Sequence, residues 1–522
     1  MKTIELNEEF KKALNQAENT NDNILITGKA GTGKSTFLEY FRNNTKREVI
    51  VLAPTGVAAL NVKGETIHSF FHFKPDITLQ KIKKHKGKGG TIYKKIDTII
   101  IDEVSMVRAD LLDCIGKFLK LNGKSTRKPF GGTRMIFIGD LYQLPPVVTS
   151  KEKEMFKSHY KSPYFFDAEV FENLPIEFIE FEKVYRQKDE NFIMLLNKVR
   201  NNSITEEELN LINDRVGAEF DSNIDSKYSI YLTTTNDMAT KINEEELSKL
   251  NTKIFTHKAE TEGDFNEKSF PTDYELNLKV DSQVMMLNND SLGRWVNGTI
   301  GKIVDIVKND NGRDEMVVVE TSDGSRVDVL PHEWDLFHYN FNKEKGQLET
   351  EIKGHFTQYP MKLAWAVTIH KGQGKTFNKV IIDVGRGTFA HGQMYVALSR
   401  CTSFGGIILK KPIKKYHIWM DWRVVNFMTK YQYAISEKGI PIDKKVELIN
   451  QAIKNNNCLK IIYLKTSDEK TKRIIKPIRV GECLYNERKF LGLEAYCFKR
   501  NENRVFRVDR ILEIKIADNL QK

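Results

Sequence analysis

Long apolar runs are missing from this chain. Across its 522 residues no stretch of about 18 consecutive hydrophobic residues occurs, so no membrane-spanning helix is expected. The opening segment, Met1-Lys-Thr-Ile-Glu-Leu6, has no positive region followed by an apolar run, so no secretory signal is expected. Cysteine is scarce and dispersed: Cys114, Cys401, Cys458, Cys483 and Cys497 form no CxxC pair. Their spacing argues against a zinc site and a disulfide scaffold and suits a reducing cytoplasm. Carboxylates are absent from Lys81 to Lys95, which holds seven lysines broken by Gly87, Gly89 and Gly90. Such a run cannot be a core helix; it reads as a solvated loop or a phosphate-contacting insertion.

What remains is ordinary for a globular chain of three or four domains, with 40% hydrophobic and 29% charged residues. The net charge of +11 points towards a polyanionic partner, because lysine and arginine displace counterions from phosphates. Much of it lies at one end: residues 440–522 carry 19 Lys and Arg against 11 Asp and Glu.

Three segments carry phosphate chemistry. Asn23-Ile-Leu-Ile-Thr27 reads as a buried strand, Gly28-Lys-Ala-Gly-Thr-Gly33-Lys34-Ser35 as a phosphate-binding loop, and Thr36 onwards as a helix. This is GxxxxGK[ST] in the strand–loop–helix context it requires. Glycines let backbone N–H groups converge on phosphates at the positive end of the helix. The candidate nucleotide contacts are therefore Gly28, Ala30, Gly31, Thr32, Gly33, Lys34, Ser35 and Thr36. Lys34 would reach the β- and γ-phosphates, and the Ser35 hydroxyl would hold Mg²⁺. Thr98-Ile-Ile-Ile101 reads as a central parallel strand ending in Asp102-Glu103, with Asp102 supporting Mg²⁺ and Glu103 activating the attacking water. Arg134-Met-Ile-Phe-Ile138 leads to Gln143, a candidate γ-phosphate sensor. Together the three strand tips predict a nucleoside triphosphatase that uses Mg²⁺.

The order of further motifs carries a family resemblance. Val51-Leu-Ala-Pro-Thr55-Gly56-Val-Ala-Ala59 and Thr66-Ile-His68-Ser69-Phe-Phe71 resemble region Ia of superfamily-1 helicases, and the Asp102-Glu103 segment their motif II. Lys128-Pro-Phe-Gly-Gly132 with Gly139-Asp140 and Gln143-Leu-Pro-Pro-Val147 is similar to the signature stretch and motif III of the petite-integration-frequency helicases. Val184-Tyr-Arg186-Gln187, Thr368-Ile-His370-Lys371-Gly-Gln373-Gly374 and Gln393-Met-Tyr395-Val-Ala-Leu-Ser399-Arg400-Cys401 resemble motifs IV, V and VI. The chain is identified as a member of this PIF-like class B branch over roughly residues 5 to 430, with RecD-type helicases as the nearest alternative.

That resemblance implies an α/β architecture of two RecA-like P-loop motor domains, 1–180 and 181–430, with ATP between them. Arg186 and Arg400 match the arginine fingers, and Gly374 joins the nucleotide contacts. Thr55, Gly56, His68, Ser69, Thr368, His370 and Lys371 match positions that touch the DNA strand or couple it to the nucleotide. The implied activity is ATP-dependent 5′→3′ movement on single-stranded DNA and unwinding of duplexes, in replication, repair or recombination. The implied partners are single-stranded and forked DNA, with G-quadruplexes and RNA–DNA hybrids as further substrates, and the motor is expected to act as a monomer. The chain departs from the family at Phe10, where an adenine-reading Gln is usual, leaving Asn7, Gln16 or a backbone group for that task. Gly372 and Lys375 stand in motif V where Ser and a hydrophobic residue are common.

The same resemblance implies a wedge insertion at about 75–95 and a Src-homology-type β-barrel at about 282–358. Strands are read at Ser282–Asn288 and Trp295–Ile306, and a hairpin at Glu315–Glu320 and Arg326–Leu330. Residues 431–441 read as a linker punctuated by Gly439 and Pro441. After it, 442–522 resembles a WYL domain, a mostly-β Sm-like barrel, although Leu491-Gly-Leu493 replaces the naming tripeptide. Tyr463, Arg473, Tyr496, Arg504, Arg507 and Arg510 fit that pattern and suit single-stranded DNA. Two other readings are an RNA-directed or branch-remodelling ATPase, and a nucleic-acid-binding regulator with a degenerate motor.

Overall fold

The computed structural model describes residues 6–517 except 75, 86–91, 149–151, 153–155, 157, 222–223, 225–226, 264, 266, 268–269, 309–314, 343–346 and 486–487. It forms two compact units, Met1–Arg200 with Ile204–Trp419, and Met420–Lys522 with Asn201–Ser203.

The first unit is built around two parallel sheets. Strands β1 (Asn23–Gly28), β2 (Val49–Ala53), β3 (Glu65–Thr66), β4 (Thr98–Ile101), β5 (Arg134–Ile138) and β6 (Ile176–Phe181) lie in the order β3-β2-β4-β5-β1-β6. Their β-branched runs are buried on both faces, as a helix-covered parallel sheet requires. β1, β4 and β5 are neighbours at the centre, so the phosphate loop, the acidic pair and the Gly139–Gln143 turn emerge side by side at their carboxyl ends. Helix α1 (Glu8–Asn19) is capped by Asn7, whose Oδ1 accepts from Phe10 N at 2.8 Å, and Glu8 and Glu9 favour its positive end. The second sheet pairs Ala366–Thr368, Ile230–Thr233, Val380–Asp383 and Ile407–Leu409, all parallel.

Between Ile230–Thr233 and Ala366–Thr368 the chain makes antiparallel sheets. One has five strands: Arg326–Val329, Glu315–Thr321, Ile300–Lys308, Gln283–Met286 and Met361–Leu363. The Glu315–Thr321 and Arg326–Val329 hairpin matches the sequence reading. Trp295 to Thr299 is not strand: it belongs to a loop turning at Gly298, and pairing begins at Ile300. The element also begins earlier than 282, because Leu276 and Leu278 share a core with Val284, Ile303 and Val319. The long hairpin His332–Asn342 with Gln347–Gln358 escaped the sequence reading. A bulge between Leu336 and Phe337 breaks the alternation that Trp334 and Leu336 begin, which destroys the period-two signal. In the expected wedge, Ile82, Ile92 and Tyr93 are buried, with Tyr93 donating to Phe70 O at 3.0 Å. The glycine-broken lysines at 86–91 lie outside the described residues.

The second unit corrects the expected linker. Residues 431–439 belong to a helix, Trp422–Gly439, capped by the Asp421 side chain. Val424, Val425, Met428, Thr429, Gln432 and Ser436 bury one face of it, and Gly439 and Pro441 mark the junction to the next helix, Ile442–Lys454. A five-stranded antiparallel sheet follows, ordered Glu502–Arg507, Arg488–Cys497, Lys470–Tyr485, Leu459–Leu464 and Ile511–Ile516. Pro477 sits at a register shift in its longest strand, where a missing N–H costs least.

Candidate active site

The phosphate loop is shaped by close approach. A Cβ on Gly28 would lie 2.6 Å from Phe181 O, and one on Gly31 would lie 2.5 Å from Arg186 Cβ. Gly31 also has φ +77°, so glycine is required there on both counts. Lys34 Nζ donates to Gly28 O at 2.7 Å and Lys29 O at 2.9 Å, which parks the ammonium inside the loop where phosphates would sit.

Around it lies a cavity of about 580 Å³. Ala30, Gly31, Thr32, Gly33, Lys34, Ser35 and Thr36 line it together with Asp102, Glu103, Gln143, Arg186, Gly374 and Arg400. Residues from six separate stretches of sequence thus meet in one cleft. Its cations are held in an unfavourable state: burial lowers Lys34, and burial, then the neighbouring Arg186, pulls Arg400 down to about 9. Burial, then Glu103, pushes Asp102 up to about 7; Glu103 is raised by burial against the pull of Lys34 and Arg400. Crowded buried cations suit a triphosphate. The oxygen donors of Ser35 and Asp102 are the hard ligands Mg²⁺ prefers.

Both arginines are anchored by backbone. Arg186 Nη1 donates to Ser399 O and Nη2 to Gly374 O, each at 3.3 Å. Arg400, 1% exposed, donates from Nε to Val396 O at 3.0 Å, from Nη1 to Lys375 O at 3.3 Å and from Nη2 to Ser399 Oγ at 2.9 Å.

The sequence reading missed the groups that hold these residues. Gln373 Nε2 donates to Glu103 Oε2 at 3.0 Å, orienting the acid from the other side of the cleft. Asp140 Oδ2 accepts from Gln143 Nε2 at 3.1 Å and from Tyr395 OH at 3.4 Å, while Tyr395 OH accepts from Ala30 N at 2.9 Å. The buried Arg200 guanidinium lies 3.8 Å over the Tyr142 ring and 3.6 Å from Asp140. Gln187 Nε2 donates to Ser399 O and Cys401 O, tying motif IV to motif VI. Apart from Arg200, which belongs to none of the motifs, these residues lie within them, and their partners across the cleft are set by three-dimensional proximity. Phe10 lines the cleft as an aromatic side chain, edge-on to Phe37 and Tyr40. Of its proposed substitutes, Asn7 is engaged as the α1 cap and as a donor to Tyr185 OH, at 3.2 Å.

The strand-contact candidates lie elsewhere in this unit. Thr55 is the exposed cap before Gly56, its side chain accepting from Ala58 N at 3.3 Å. Ser69 Oγ donates to Glu65 Oε1 at 2.6 Å. His68 is half-buried and held below its ordinary value by burial, then by Arg108. Buried Thr368 accepts from Lys371 N at 3.2 Å, leaving the Lys371 side chain exposed. The His370 ring stacks on Phe389 at 5.7 Å and 7°. Phe389, 61% exposed, offers the stacking face that bases prefer and was not singled out from sequence.

In the second unit the six tail residues separate. Arg473 is interior, over the Phe506 ring and donating to Thr471 Oγ1 at 3.2 Å. Tyr463 packs edge-on to Phe506, and Tyr496 edge-on to Phe498. Arg504 is exposed beside Glu502, Arg507 pairs with Asp509, and Arg510 is half-buried.

Two parallel sheets, and a phosphate loop that shares one cleft with Arg186 and Arg400, define a P-loop motor ATPase. The PIF1-like helicase family profile matches residues 5–210, and the WYL domain profile matches 444–516. The ATP-dependent DNA helicase Pif1 of Bdellovibrio bacteriovorus is 31% identical over 417 residues, 78% of this chain and 88% of that protein. The PIF1 helicase of Danio rerio is 32% identical over 394 residues, 74% of this chain and 58% of that protein. The crystal structure of a Bacteroides Pif1 with ADP-AlF4 superposes with a TM-score of 0.74 at 35% identity, covering 82% of this chain and 97% of that one. The chain belongs to the PIF1-like helicases and carries a C-terminal WYL domain. Among its described residues no helix is long and apolar enough to cross a membrane.

Proposed function

We propose that this protein hydrolyses ATP to move 5′→3′ along single-stranded DNA and to unwind the duplex ahead of it. The observation that carries this is the single cleft in which Lys34, Asp102, Glu103 and Gln143 meet Arg186 and Arg400 from the other lobe. A Bacteroides Pif1 structure bound to single-stranded DNA, 35% identical with a TM-score of 0.59, supports the choice of polymer.

The residues divide the work. Mg²⁺, held by Ser35 and Asp102, would neutralise charge between the β- and γ-phosphates. Lys34 leaves the loop carbonyls to take the same phosphates. Glu103, oriented by Gln373, takes the proton of the attacking water, and Gln143, oriented by Asp140, positions that water. Arg186 and Arg400 neutralise the transferring phosphoryl group when the lobes close. Because Arg186 and Arg400 are held by the Gly374–Lys375 backbone, closure moves the motif V loop and with it Thr368, His370 and Lys371. Alternating tight and loose grip then gives steps.

The five-stranded antiparallel element serves as the Src-homology-type barrel over the strand, and the WYL domain as an accessory single-strand or ligand module. Forked DNA is the preferred substrate; a structure titled for unwinding of forked duplex by two coordinating Pif1 helicases, 35% identical with a TM-score of 0.58, supports that choice. The test is ATPase stimulation by single-stranded DNA, RNA of the same sequence and blunt duplex. Stimulation of at least about tenfold by single-stranded DNA over blunt duplex is expected, since phosphate grip and stacking act along a single strand. Equal or greater stimulation by RNA would favour an RNA-directed ATPase.

A further inference from the structure

Lys375 departs from the residue type usual at its place in motif V, and the structure gives it two attachments. Its carbonyl accepts from Arg400 Nη1 at 3.3 Å, inside the nucleotide cleft. Its ammonium reaches the other way, donating to Asn297 Oδ1 at 2.6 Å in the loop before Ile300. Asn297 in turn donates from Nδ2 to Asn61 Oδ1 at 3.1 Å, at the end of the helix Gly56–Asn61 that Thr55 caps. The side-chain stem of Lys375 packs on Gly298, where an added Cβ would sit 3.5 Å from Lys375 Cβ. A second half-buried lysine, Lys362 on the barrel-side strand Met361–Leu363, adds positive charge to the same place.

Among the described residues neither Lys362 nor Lys375 makes an ion pair. The charged groups facing Lys362 are Lys371, which opposes its charge, and Asp273, which favours it; those of Lys375 are Lys362 and, at its backbone, Arg400. A neutral amide is a weak partner for a buried ammonium, whereas a phosphate oxygen forms a shorter, charge-assisted bond. Crowded cations without an anion are costly unless another state supplies one.

We propose that Lys362 and Lys375, closed by Asn297 in the strand-free protein, form a seat for a backbone phosphate of the bound single strand. This rests on the reading that the strand runs past Thr55, His370 and Lys371. Phosphate replaces Asn297 at the Lys375 ammonium, freeing the loop from Asn61, while the Lys375 carbonyl stays on Arg400. The seat is thereby tied to the nucleotide cleft through one residue.

Burial, then like charge, holds Lys375 down to about 7 and Lys362 down to about 8. Phosphate favours the charged forms and raises both, so strand binding takes up protons and weakens as pH rises through this range. The experiment is anisotropy of a labelled oligothymidylate at constant ionic strength, with the wild-type chain, Lys375→Met and Lys375→Arg. The wild type should lose about tenfold in affinity between about pH 6.5 and about pH 8.5. Lys375→Met should bind about tenfold more weakly at the acid end, keep only the smaller dependence due to Lys362, and show a salt slope shallower by about 0.7. Lys375→Arg, always charged, should bind well at both ends. A flat wild-type profile, or a Met variant with wild-type affinity and pH dependence, overturns the seat. No strand binding by the wild type at any pH instead overturns the channel reading on which the seat rests.

Discussion

Replacing Lys34 with alanine is expected to cut single-strand-stimulated ATP hydrolysis by about two to three orders of magnitude, while the melting temperature stays near that of the wild type. Lys34 places its ammonium inside the phosphate loop, on Gly28 O and Lys29 O. Its burial costs free energy that the two carbonyls and the nearby Asp140, Glu103 and Asp102 offset in part, and phosphate oxygens add to that, so its charge matters more in the nucleotide-bound state than in the empty one. The two carbonyls it leaves belong to a loop that opens on the cavity, so water can satisfy them. The check is steady-state ATPase with saturating oligonucleotide, beside thermal unfolding. Hydrolysis within about tenfold of wild type would mean that Lys34 does not carry the phosphate charge.

Replacing Arg400 with alanine is expected to lower kcat about 10³-fold and to leave KM for ATP within a few-fold. The split between the two constants is the informative readout, because a finger acts on charge that develops in the transition state and contributes little to ground-state binding. This arginine is also structural: Val396 O, Lys375 O and Ser399 Oγ all lose a donor, so the melting temperature should fall as well. Arg400→Lys separates the two effects. It keeps the charge without the planar fork, so it should recover part of kcat. An alanine variant whose defect lies entirely in KM would contradict the finger role.

Local chemistry was legible in the chain, and long-range pairing was not. The strand–loop–helix around Lys34 and the run Thr98–Ile101 before Asp102 are written in adjacent residues, and the structure puts their tips on either side of β5. Motif order, rather than any property of the residues themselves, anticipated that Arg186 and Arg400 meet the phosphate loop. The Asp140–Gln143 contact lies within one turn, but nothing local indicates that Gln373 holds Glu103, or that Tyr395 and Arg200 gather at Asp140, because those pairs are joined only by folding. The hairpin His332–Asn342 and Gln347–Gln358 was missed because its bulge breaks the alternation that betrays a strand. In sequence, Gly439 and Pro441 look like the punctuation of a linker over 431–441; in the structure they are the end of one helix and the cap of the next. Arg473 fits a basic surface by its place in the sequence, but its guanidinium is folded inward over Phe506.

The central claim is directed, ATP-driven movement on a DNA strand, and unwinding of two duplexes tests it most directly. One duplex carries a 5′ single-stranded tail, the other a 3′ tail, each with ATP and with Lys34→Ala as control. Unwinding from the 5′ tail alone, lost in Lys34→Ala, is the expected result. Unwinding from the 3′ tail alone, or unwinding that survives Lys34→Ala, would contradict it.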